Sequence, residues 1–351
     1  MRDNIRSTGK MIFQGKTVLI TGGTGSLGKS LVRHIMTGKL GKPKQVIIFS
    51  RDEDKQYAME LEWKNLKVAT DDVFYYADEI LSFQIGDVRD YESVVRAVKQ
   101  ADIIIHAAAL KQVPITESFP FESIKTNILG AQNIIRAILE NDNHVETVLA
   151  ISTDKACKPV NTYGMCKALQ ERLIVEANRL CPNTRFICTR YGNVAASRGS
   201  IIPLFQEQIK NGGPVTITRE DMTRFILSLD TAIGIIAEAI RSAEAGDIYV
   251  PDLPSHKVLD LAWVMIGERK VGIKTIGVRP GEKIHEILIS EEELPRTMKR
   301  GNYYVILPIL PKLRKTEIKK PALTTELSSA HNCMSKRALK AFLQTGGYLN
   351  F

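Results

Sequence analysis

A short apolar segment, Val18 to Ile20, runs directly into a glycine-rich sequence, T-G-G-T-G-S-L-G, at positions 21–28. The residues that follow, Lys29 to Met36, have the periodicity of a helix. In the order strand, glycine turn, helix, the glycines permit a tight turn and let a pyrophosphate approach the backbone, while the helix N-terminus attracts an anion. This segment therefore predicts a dinucleotide-binding unit built around one strand of a parallel sheet.

The alternation of apolar strand patterns with helical patterns continues as far as Arg190. Further strands are predicted at Val46 to Phe49, Ser82 to Ile85, Ile103 to Ile105, Thr147 to Ile151 and Phe186 to Thr189. This alternation predicts an α/β fold with a doubly wound parallel sheet of the Rossmann type over residues 1–190, carrying both the cofactor and the catalytic residues. Shorter strands and helices after Arg190 predict a smaller C-terminal α/β substrate domain at 191–351, with some segments returning to the sheet.

The end of the second predicted strand bears on the choice of cofactor. An acid at this position takes the ribose hydroxyls of NAD, whereas an arginine suits the 2′-phosphate of NADP. Ser50, Arg51 and Lys55 therefore favour NADP, and Asp52 is the acid that would serve NAD instead.

Further cofactor contacts are expected from the glycine turn and from the ends of the next two strands. A carboxylate after the third strand is placed to accept from an adenine amino group, and small residues after the fourth let a flat cofactor pass close by. The expected contacts are Gly22, Thr24, Gly25, Ser26, Leu27, Gly28, Asp87, Val88, Ala107, Ala109 and Lys111, together with Tyr163 and Lys167 further along the chain. His106 is expected to be a satisfied strand-end histidine, and no residue spacing indicates a metal site.

The residues best suited to chemistry lie between Ser152 and Lys167. Tyr163 and Lys167 stand four apart at the start of an apolar-periodic run, so on a helix they share one face. An ammonium about 4 Å from a phenol, at an effective dielectric near 20, favours the phenolate by roughly 4 kcal/mol. We therefore expect Lys167 to lower the pKa of Tyr163 towards neutrality, where a tyrosine acts as an acid or a base. Asp154 and Lys155, at the end of the preceding strand, add an acid and an amine that oxidation of an alcohol does not need.

Composition narrows the class of protein. The chain has 48 Lys and Arg residues against 39 Asp and Glu, a net charge of +9, but no aromatic-rich basic module of the kind that binds nucleic acid. A phosphate-bearing small substrate or a solvated surface accounts for the charge. The five cysteines form no C-x-x-C pair, which indicates reduced thiols and a cytoplasmic location. With no run of about 18 apolar residues, no membrane association is expected.

Together these motifs resemble the extended short-chain dehydrogenase/reductase family. The glycine turn, the strand-end Asp87-Val88 and the Tyr163-x-x-x-Lys167 pair all match it. A narrower resemblance, covering nearly the whole chain, is to the soluble, inverting UDP-N-acetylglucosamine 4,6-dehydratases. The motifs that carry it are S-R-D-x-x-K-Q from Ser50, S-T-D-K-A from Ser152, N-x-Y-G from Asn161, M-T-R-F from Met222 and R-P-G-E-K from Arg279.

The resemblance implies a reaction cycle and a role for each catalytic residue. Tyr163, activated by Lys167, takes the proton of the sugar 4-hydroxyl while tightly bound NADP takes a hydride from C4. Lys155 then removes the C5 proton, and Asp154 protonates the departing 6-hydroxyl. The hydride returns to C6 and C5 is reprotonated on the opposite face, so that the cofactor is regenerated in each turnover.

The resemblance also implies a UDP-N-acetylglucosamine substrate and a homo-oligomer. The residues expected at the substrate are Lys111, Thr153, Asn193, Arg198, Arg279 and Glu282, with Arg198 and the 279–283 turn placed to clamp a diphosphate. Two alternatives remain open. A UDP-sugar 4-epimerase shares the fold, tyrosine and lysine but has no water to expel, and a dinucleotide-sensing protein would keep the fold without catalysis. A tyrosine at position 163 favours inversion at C5, although the Thr297 to Pro308 segment is similar to tails found in enzymes of both stereochemical outcomes.

Overall fold

The computed structural model describes residues 11–64, 79–141, 144–197, 199–318 and 320–351. Arg198, one of the predicted substrate ligands, lies outside the described residues. The described strands, numbered in chain order, are β1 (Thr17–Thr21), β2 (Gln45–Ser50), β3 (Leu81–Ile85), β4 (Ile103–His106), β5 (Thr147–Thr153), β6 (Arg185–Tyr191), β7 (Asn193–Val194), β8 (Val215–Ile217), β9 (Thr223–Leu227), β10 (Ile248–Pro251), β11 (Ser255–Lys257), β12 (Ile273–Thr275), β13 (Ile287–Ile289), β14 (Thr297–Arg300), β15 (Tyr303–Ile306) and β16 (Leu327–Ser328).

The helices fall between these strands. In chain order they are α1 (Ser26–Met36), α2 (Glu53–Lys64), α3 (Tyr91–Val98), α4 (Val113–Ser118), α5 (Pro120–Ser123), α6 (Gly130–Glu140), α7 (Thr162–Leu180), α8 (Ile201–Lys210), α9 (Leu229–Ser242), α10 (Val258–Ile266) and α11 (Lys336–Thr345). A π-helical turn at Ile124–Leu129 leads into α6, and 3-10 turns lie at Asp154–Ala156, Glu291–Arg296 and Pro311–Leu313.

The main sheet has nine strands among the described residues, in the order β14-β15-β10-β6-β5-β4-β1-β2-β3. The strands from β10 to β3 in this order are parallel to their neighbours, and β14 and β15 form an antiparallel hairpin at one edge. The predicted doubly wound parallel sheet is therefore confirmed. Residues 191–351 divide between two places, because β10, β14 and β15 join the main sheet while the rest of this segment packs beside it.

Both faces of the main sheet are buried, as a parallel sheet requires. Successive side chains of a strand point to opposite faces, and β1 shows the result. Val18 and Ile20 pack into a core with α1 and α9, whereas Leu19 packs into a second core with α3, α6 and α7. The loops that carry the predicted cofactor and catalytic residues follow the carboxyl ends of these strands.

A third core supports the smaller part of the structure. It joins Phe205 of α8, Ile217 of β8, Leu261 of α10 and Leu339 of α11. Three small sheets, β11-β9-β7, β12-β8 and β13-β16, lie in this part of the chain. They bring β9 and the segment before β13 to the ends of the main-sheet strands.

A buried ion cluster joins the two parts. Arg190, at 2% exposure, contacts Glu171 of α7 through Nη2–Oε2 at 2.6 Å and Glu293 through Nη1–Oε2 at 2.7 Å. Ser152 donates to Glu171 Oε1 at 2.5 Å. Because a buried charge that lacks its partner is costly, these contacts tie β5, β6, α7 and the 291–296 turn into a single arrangement.

Candidate active site

The glycine turn between β1 and α1 is closed by backbone contacts that leave no room for side chains. Gly22 has a φ of +69°, and a Cβ there would lie 2.8 Å from the backbone nitrogen of Ala108. A Cβ on Gly28 would lie 2.3 Å from the carbonyl oxygen of Gly23. Helix α1 follows Gly25 with no side-chain cap, so its N-terminus presents backbone amides with partial positive charge. This cradle fits the pyrophosphate of a dinucleotide.

Thr24 connects this cradle to the end of β2. Its hydroxyl donates to Ser50 Oγ at 3.2 Å, and Gln56 of α2 donates to the Ser50 carbonyl oxygen at 2.8 Å. The same Gln56 amide reaches the Gln84 carbonyl oxygen of β3 at 2.8 Å. The strand ends expected to hold the adenosine half of a cofactor are thus fixed by a buried amide, which the sequence motif did not reveal.

Charged side chains at this edge divide into two groups. Lys55 pairs with Asp52, whose Oδ1 also accepts from the Lys55 backbone N–H at 3.0 Å. Arg51 is exposed, with Nη1 3.9 Å from Asp87 Oδ2, and Arg89 Nη2 lies 2.7 Å from the same oxygen. Burial raises the pKa of Asp87, but Arg89 and Arg51 together lower it by a larger amount, so the net pKa is below its ordinary value.

The end of β4 is built around two buried polar side chains. His106 is fully buried, with Nδ1 2.8 Å from Thr21 Oγ1, and burial followed by the charge of Lys167 lowers its pKa to about 3. The expectation of a satisfied strand-end histidine holds at Nδ1 but not at Nε2, which is buried without a hydrogen-bond partner among the described residues. Asn127 accepts from the Leu110 N–H at 2.8 Å and donates to the Leu110 carbonyl oxygen at 2.9 Å, which holds the loop after β4.

The other predicted cofactor residues lie along this edge. Ala107 and Ala109 are half-buried in the loop after β4, and Lys111 is exposed beyond them. Val88 is buried and its carbonyl oxygen accepts from Asn133 of α6 at 2.9 Å. The remaining two predicted residues of the first turn, Ser26 and Leu27, begin α1.

Asp154 and Lys155 form a buried ion pair at the carboxyl end of β5. Lys155 Nζ lies 3.1 Å from Asp154 Oδ1, which also accepts from Thr153 Oγ1 at 2.9 Å. Asp154 is fully buried, and its Oδ2 has no hydrogen-bond partner among the described residues. Burial raises the pKa of Asp154, with Lys155 opposing this shift. The acid and amine predicted from sequence are therefore in direct contact, and one carboxylate oxygen is buried without a hydrogen-bond partner.

Glu286, Lys283 and Arg224 complete this charged cluster. Sequence analysis placed Lys283 in the turn expected to clamp a diphosphate, but it did not place Glu286 or Arg224 in the site. Glu286 Oε1 lies 3.0 Å from Lys155 Nζ, its Oε2 lies 3.8 Å from Lys283 Nζ, and Arg224 Nε lies 3.9 Å from Oε1. Arg224 belongs to M-T-R-F, and Glu286 follows R-P-G-E-K by three positions. The position of Glu286, three residues after the charged R-P-G-E-K turn, was the only signal in the sequence that could have indicated a role in the site. The spacing along the chain does not show that its partner is Lys155.

Tyr163 lies in the first turn of α7, beside Asp154 and Lys155. Burial raises its pKa to about 12, while Lys155 and a hydrogen bond with Thr153 oppose the rise. The expected shift of the Tyr163 pKa towards neutrality is therefore wrong. The physical reason is that removal of the phenol from water outweighs the attraction of the nearby ammonium, which comes from Lys155.

Lys167 lies one turn further along α7, as the helical spacing predicted. Its ammonium donates to the Ile151 carbonyl oxygen and to Gln170 Oε1, both at 2.8 Å. Burial lowers its pKa to about 8. An amine that titrates near neutrality is therefore held at the end of β5 by a strand carbonyl and a helix amide.

The turn that carries Arg279 and Glu282 docks on the start of α7. Asn161 caps α7 by accepting from the Gly164 N–H at 2.7 Å, and its Nδ2 donates to the Gly281 carbonyl oxygen at 2.7 Å. Arg279 is exposed and its backbone N–H contacts Glu282 Oε2 at 3.3 Å. The turn is thereby placed next to Tyr163.

Asn193, another predicted substrate residue, is half-buried in β7, just after the end of β6. Within the described ranges, no group of three or more His, Cys, Asp or Glu side chains is arranged to hold a metal ion. In the same part of the chain, none of the helices is both long and apolar enough to cross a bilayer.

Known proteins with similar sequences carry names of two activities. The chain is 43% identical over 302 residues to a Campylobacter jejuni protein named UDP-N-acetylglucosamine 4,6-dehydratase (inverting), an alignment that covers 85% of this chain and 84% of the relative. It is 44% identical over 300 residues to a Rickettsia bellii protein named UDP-glucose 4-epimerase, with 84% of each chain covered. The predicted resemblance to the inverting dehydratases is thus confirmed at the level of sequence similarity.

Similarity of structure and a family model extend this result. The X-ray structure of Pen from Bacillus thuringiensis matches with a TM-score of 0.85 and 34% sequence identity, covering 96% of this chain and 99% of that one. The model of a family described as polysaccharide biosynthesis protein matches residues 18–308. Since that match spans most of the chain, this protein belongs to the polysaccharide biosynthesis protein family.

Proposed function

We propose that this chain is a UDP-N-acetylglucosamine 4,6-dehydratase that inverts C5, giving a UDP-4-keto-6-deoxy-N-acetylhexosamine for bacterial surface polysaccharide or glycoprotein sugars. The observation that carries the proposal is the buried contact of Asp154 with Lys155 at 3.1 Å, beside Tyr163. An acid and a base in contact are what elimination of water requires. The similarity to the Campylobacter jejuni protein of that name supports the same choice.

In this proposal Tyr163 takes the proton of the 4-hydroxyl. The positive charge of Lys155 opposes the burial that raises the pKa of Tyr163, so the ammonium form of Lys155 assists this first proton transfer. Lys167 adds a second positive charge from one turn further along α7, held at the end of β5 by the Ile151 carbonyl oxygen. The 4-ketone that results makes the C5 hydrogen acidic.

Elimination then uses the other two side chains. Lys155 removes the proton from C5, and Asp154 gives a proton to the 6-hydroxyl, which leaves as water. In this proposal the carboxyl group of Asp154, whose Oδ2 is buried without a hydrogen-bond partner among the described residues, faces the leaving group. Reprotonation of C5 from the opposite face inverts this centre. We further propose that Thr153, Asn193, Lys111, Arg279 and Glu282 contact the substrate.

The cradle at Gly22 and Gly28 fits a nicotinamide dinucleotide, which when bound accepts a hydride from C4 and returns it to C6. We propose NADP as this cofactor. Arg51 is exposed at the end of β2, whereas the Asp52 carboxylate is engaged by Lys55 through both its backbone N–H and its ammonium. At this strand end the Arg51 guanidinium is exposed, and the Asp52 carboxylate that would bind the ribose hydroxyls of NAD is already engaged by Lys55. This arrangement suits a 2′-phosphate.

The competing function is a UDP-sugar 4-epimerase, because the Rickettsia bellii relative carries such a name. Epimerisation at C4 retains the 6-hydroxyl and needs no acid to protonate it. The fully buried Asp154, held against Lys155, favours elimination over epimerisation. A dinucleotide-sensing protein would have no use for any of these proton donors and acceptors.

The deciding experiment incubates purified protein with UDP-N-acetylglucosamine in deuterium oxide. The expected product has lost one water, carries deuterium at C5 and shows inverted C5 stereochemistry by NMR. A product of unchanged oxygen content with inverted C4 would replace the proposal with an epimerase. Recovery of unchanged substrate from protein loaded with NADP would support the non-catalytic alternative.

We also propose that the protein forms a homo-oligomer in the cytoplasm. Apolar side chains lie exposed on the neighbouring π-helical turn and α7, with Leu129 44%, Met165 51% and Leu169 53% exposed. We propose that these side chains form one apolar surface at which copies of the chain associate. The five cysteines are free thiols, as expected in a reducing compartment. Light scattering of wild type and of Leu169→Glu tests the assembly, since the variant is expected to dissociate.

A further inference from the structure

Glu286 is a buried carboxylate placed against the amine that the proposed reaction uses as its base. It is 2% exposed and lies immediately before β13. Its Oε1 is 3.0 Å from Lys155 Nζ, close to the 3.1 Å that separates this nitrogen from Asp154 Oδ1. The ammonium of Lys155 is therefore shared between two carboxylates of different chain segments.

The backbone of Glu286 is fixed at both of its polar groups. Its N–H donates to Ser329 Oγ at 2.9 Å, and its carbonyl oxygen accepts from the Ser329 N–H at 2.8 Å. Ser329 is fully buried, and its hydroxyl also lies 2.7 Å from Thr223 Oγ1 of β9. The backbone of Glu286 is thus tied to Ser329, and through it to β9, so the carboxylate has a fixed position that the partner in a surface ion pair lacks.

The charges around Glu286 keep it ionised. Burial raises the pKa of Glu286, but Lys155, Arg224 and Lys283 together lower it by a larger amount, so the net pKa is below the ordinary value. For Lys155 the balance is reversed. Burial lowers the pKa of Lys155, but Asp154 and Glu286 together raise it by a larger amount, so the net pKa lies above its ordinary value.

Further titratable groups from the surrounding elements are neutral near pH 7. Tyr163 of α7 has a pKa raised to about 12 by burial, and His256, paired with Arg224 across β9 and β11, has a pKa lowered to about 4, chiefly by burial. Lys155 responds to the carboxylates of Asp154 and Glu286 rather than to these groups. When Lys155 is protonated, its ammonium therefore lies between the carboxyl groups of Asp154 and Glu286, with Arg224 and Lys283 beside Glu286. Burial lowers the pKa of Lys283.

Elimination needs a base without a proton and an acid with one. A single proton shared by Lys155 and Asp154 meets both needs, because its transfer from Nζ to Oδ1 along the 3.1 Å contact leaves a free amine and a carboxylic acid. Loss of that proton to solvent would leave Asp154 anionic and unable to protonate the leaving hydroxyl. The pair works only while it retains this proton.

We propose that Glu286 is a positioning residue that holds Lys155 against Asp154 and retains their shared proton up to alkaline pH. The proposal rests on the dehydratase function proposed above, since that function gives the pair its role.

The first test is the pH dependence of kcat for water loss in Glu286→Gln, which removes the charge and keeps the side-chain length. The alkaline limit of kcat is expected to move to lower pH by about one to three units, because a carboxylate within hydrogen-bond distance has been neutralised. Glu286→Asp keeps the charge and should restore part of the alkaline limit. Glu291→Gln, the same change at a side chain that is 70% exposed, should leave the profile as in wild type.

The second test measures Lys155 without turnover. Its reactivity towards acetic anhydride is followed against pH, with the modified peptide quantified by mass spectrometry, in wild type and in Glu286→Gln. A lower titration midpoint in the variant is expected. An unchanged midpoint, or a kcat that falls equally at every pH, would overturn the proposal and leave Glu286 a structural residue. If the titration midpoint of Lys155 is lower in Glu286→Gln but the wild-type protein expels no water from the substrate, the assignment of Glu286 is supported and the dehydratase function is rejected.

Discussion

Gly164, in the first turn of α7, packs so closely on Lys155 that a Cβ at position 164 would lie 2.2 Å from the Lys155 carbonyl oxygen. Real Cβ atoms do not approach an oxygen to this distance, and here the neighbour is backbone, which cannot rotate away. The helix that carries Tyr163 and Lys167 is therefore packed directly against the turn that carries Asp154 and Lys155. The relative positions of the proposed acid and base groups depend on this contact.

Gly164→Ala is expected to destabilise the protein by about 1–3 kcal/mol, as overpacking does, and to lower kcat because Tyr163 moves away from Lys155. The matched control is Gly234→Ala within α9, where an added Cβ meets no atom within 4 Å. That change should stabilise the helix by about 0.5–1 kcal/mol. Urea unfolding of both variants measures the difference, and equal stabilities would contradict the close contact.

Lys155→Ala is expected to slow both C5 deuterium exchange and water loss by a factor of about 100 to 10,000, the usual contribution of a general base. In the proposed cycle Tyr163 is the base for oxidation at C4, so absorbance of the reduced cofactor should still appear when substrate is added, but more slowly than in wild type, because Lys155 also opposes the rise in the pKa of Tyr163. Exchange is measured by NMR and oxidation by spectrophotometry. Unchanged exchange and turnover would rule out the base role of Lys155.

Asp154→Asn is the matched change at the proposed acid, because it keeps the shape of the side chain. We expect C5 exchange to survive better than water loss, because Lys155 can still become a free amine by losing its proton to solvent, whereas an amide is not acidic enough to protonate the 6-hydroxyl. Measurement of both rates in one NMR experiment gives their ratio. A ratio equal to that of wild type would show that Asp154 does not act at the leaving group.

Arg51→Ala is expected to weaken NADP binding by roughly 10- to 100-fold, the range for a hydrogen bond to a charged group, and to leave NAD binding nearly unchanged. Arg337→Ala, an exposed arginine of α11, serves as the control. Dissociation constants for both nucleotides are measured after the bound nucleotide has been removed. An equal loss of affinity for NAD and NADP would argue against recognition of a 2′-phosphate.

His106 makes the stability of the protein depend on pH. Burial lowers its pKa from 6.5 to about 3, so between these values the unfolded chain binds a proton that the folded protein does not. Stability is therefore lost as pH falls from 6.5, by about 1.4 kcal/mol per unit from this residue. His106→Gln should show a smaller loss than wild type between pH 7 and pH 5 in urea unfolding. Parallel losses in the two proteins would contradict a neutral buried imidazole.

The sequence by itself determined the elements that local patterns encode. The strand–glycine–helix order at Val18 to Met36 and the alternation that follows predict the parallel sheet, because strand and helix periodicities differ and only glycine fits the turn at Gly22. The same reasoning placed Tyr163 and Lys167 on one helix and Asp154 and Lys155 at a strand end. These inferences hold because each depends on residues close together in the chain.

Tertiary structure alone decided which charges meet and how they titrate. Glu286 reaches Lys155 from a distant segment, and Arg224 reaches Glu286 from another. Packing that no local pattern specifies also decides that β10, β14 and β15 are the segments that return to the main sheet. The pKa of Tyr163 likewise rises instead of falling. Burial is the reason, because desolvation depends on every atom packed around a group, whereas spacing along a helix specifies only its immediate neighbours.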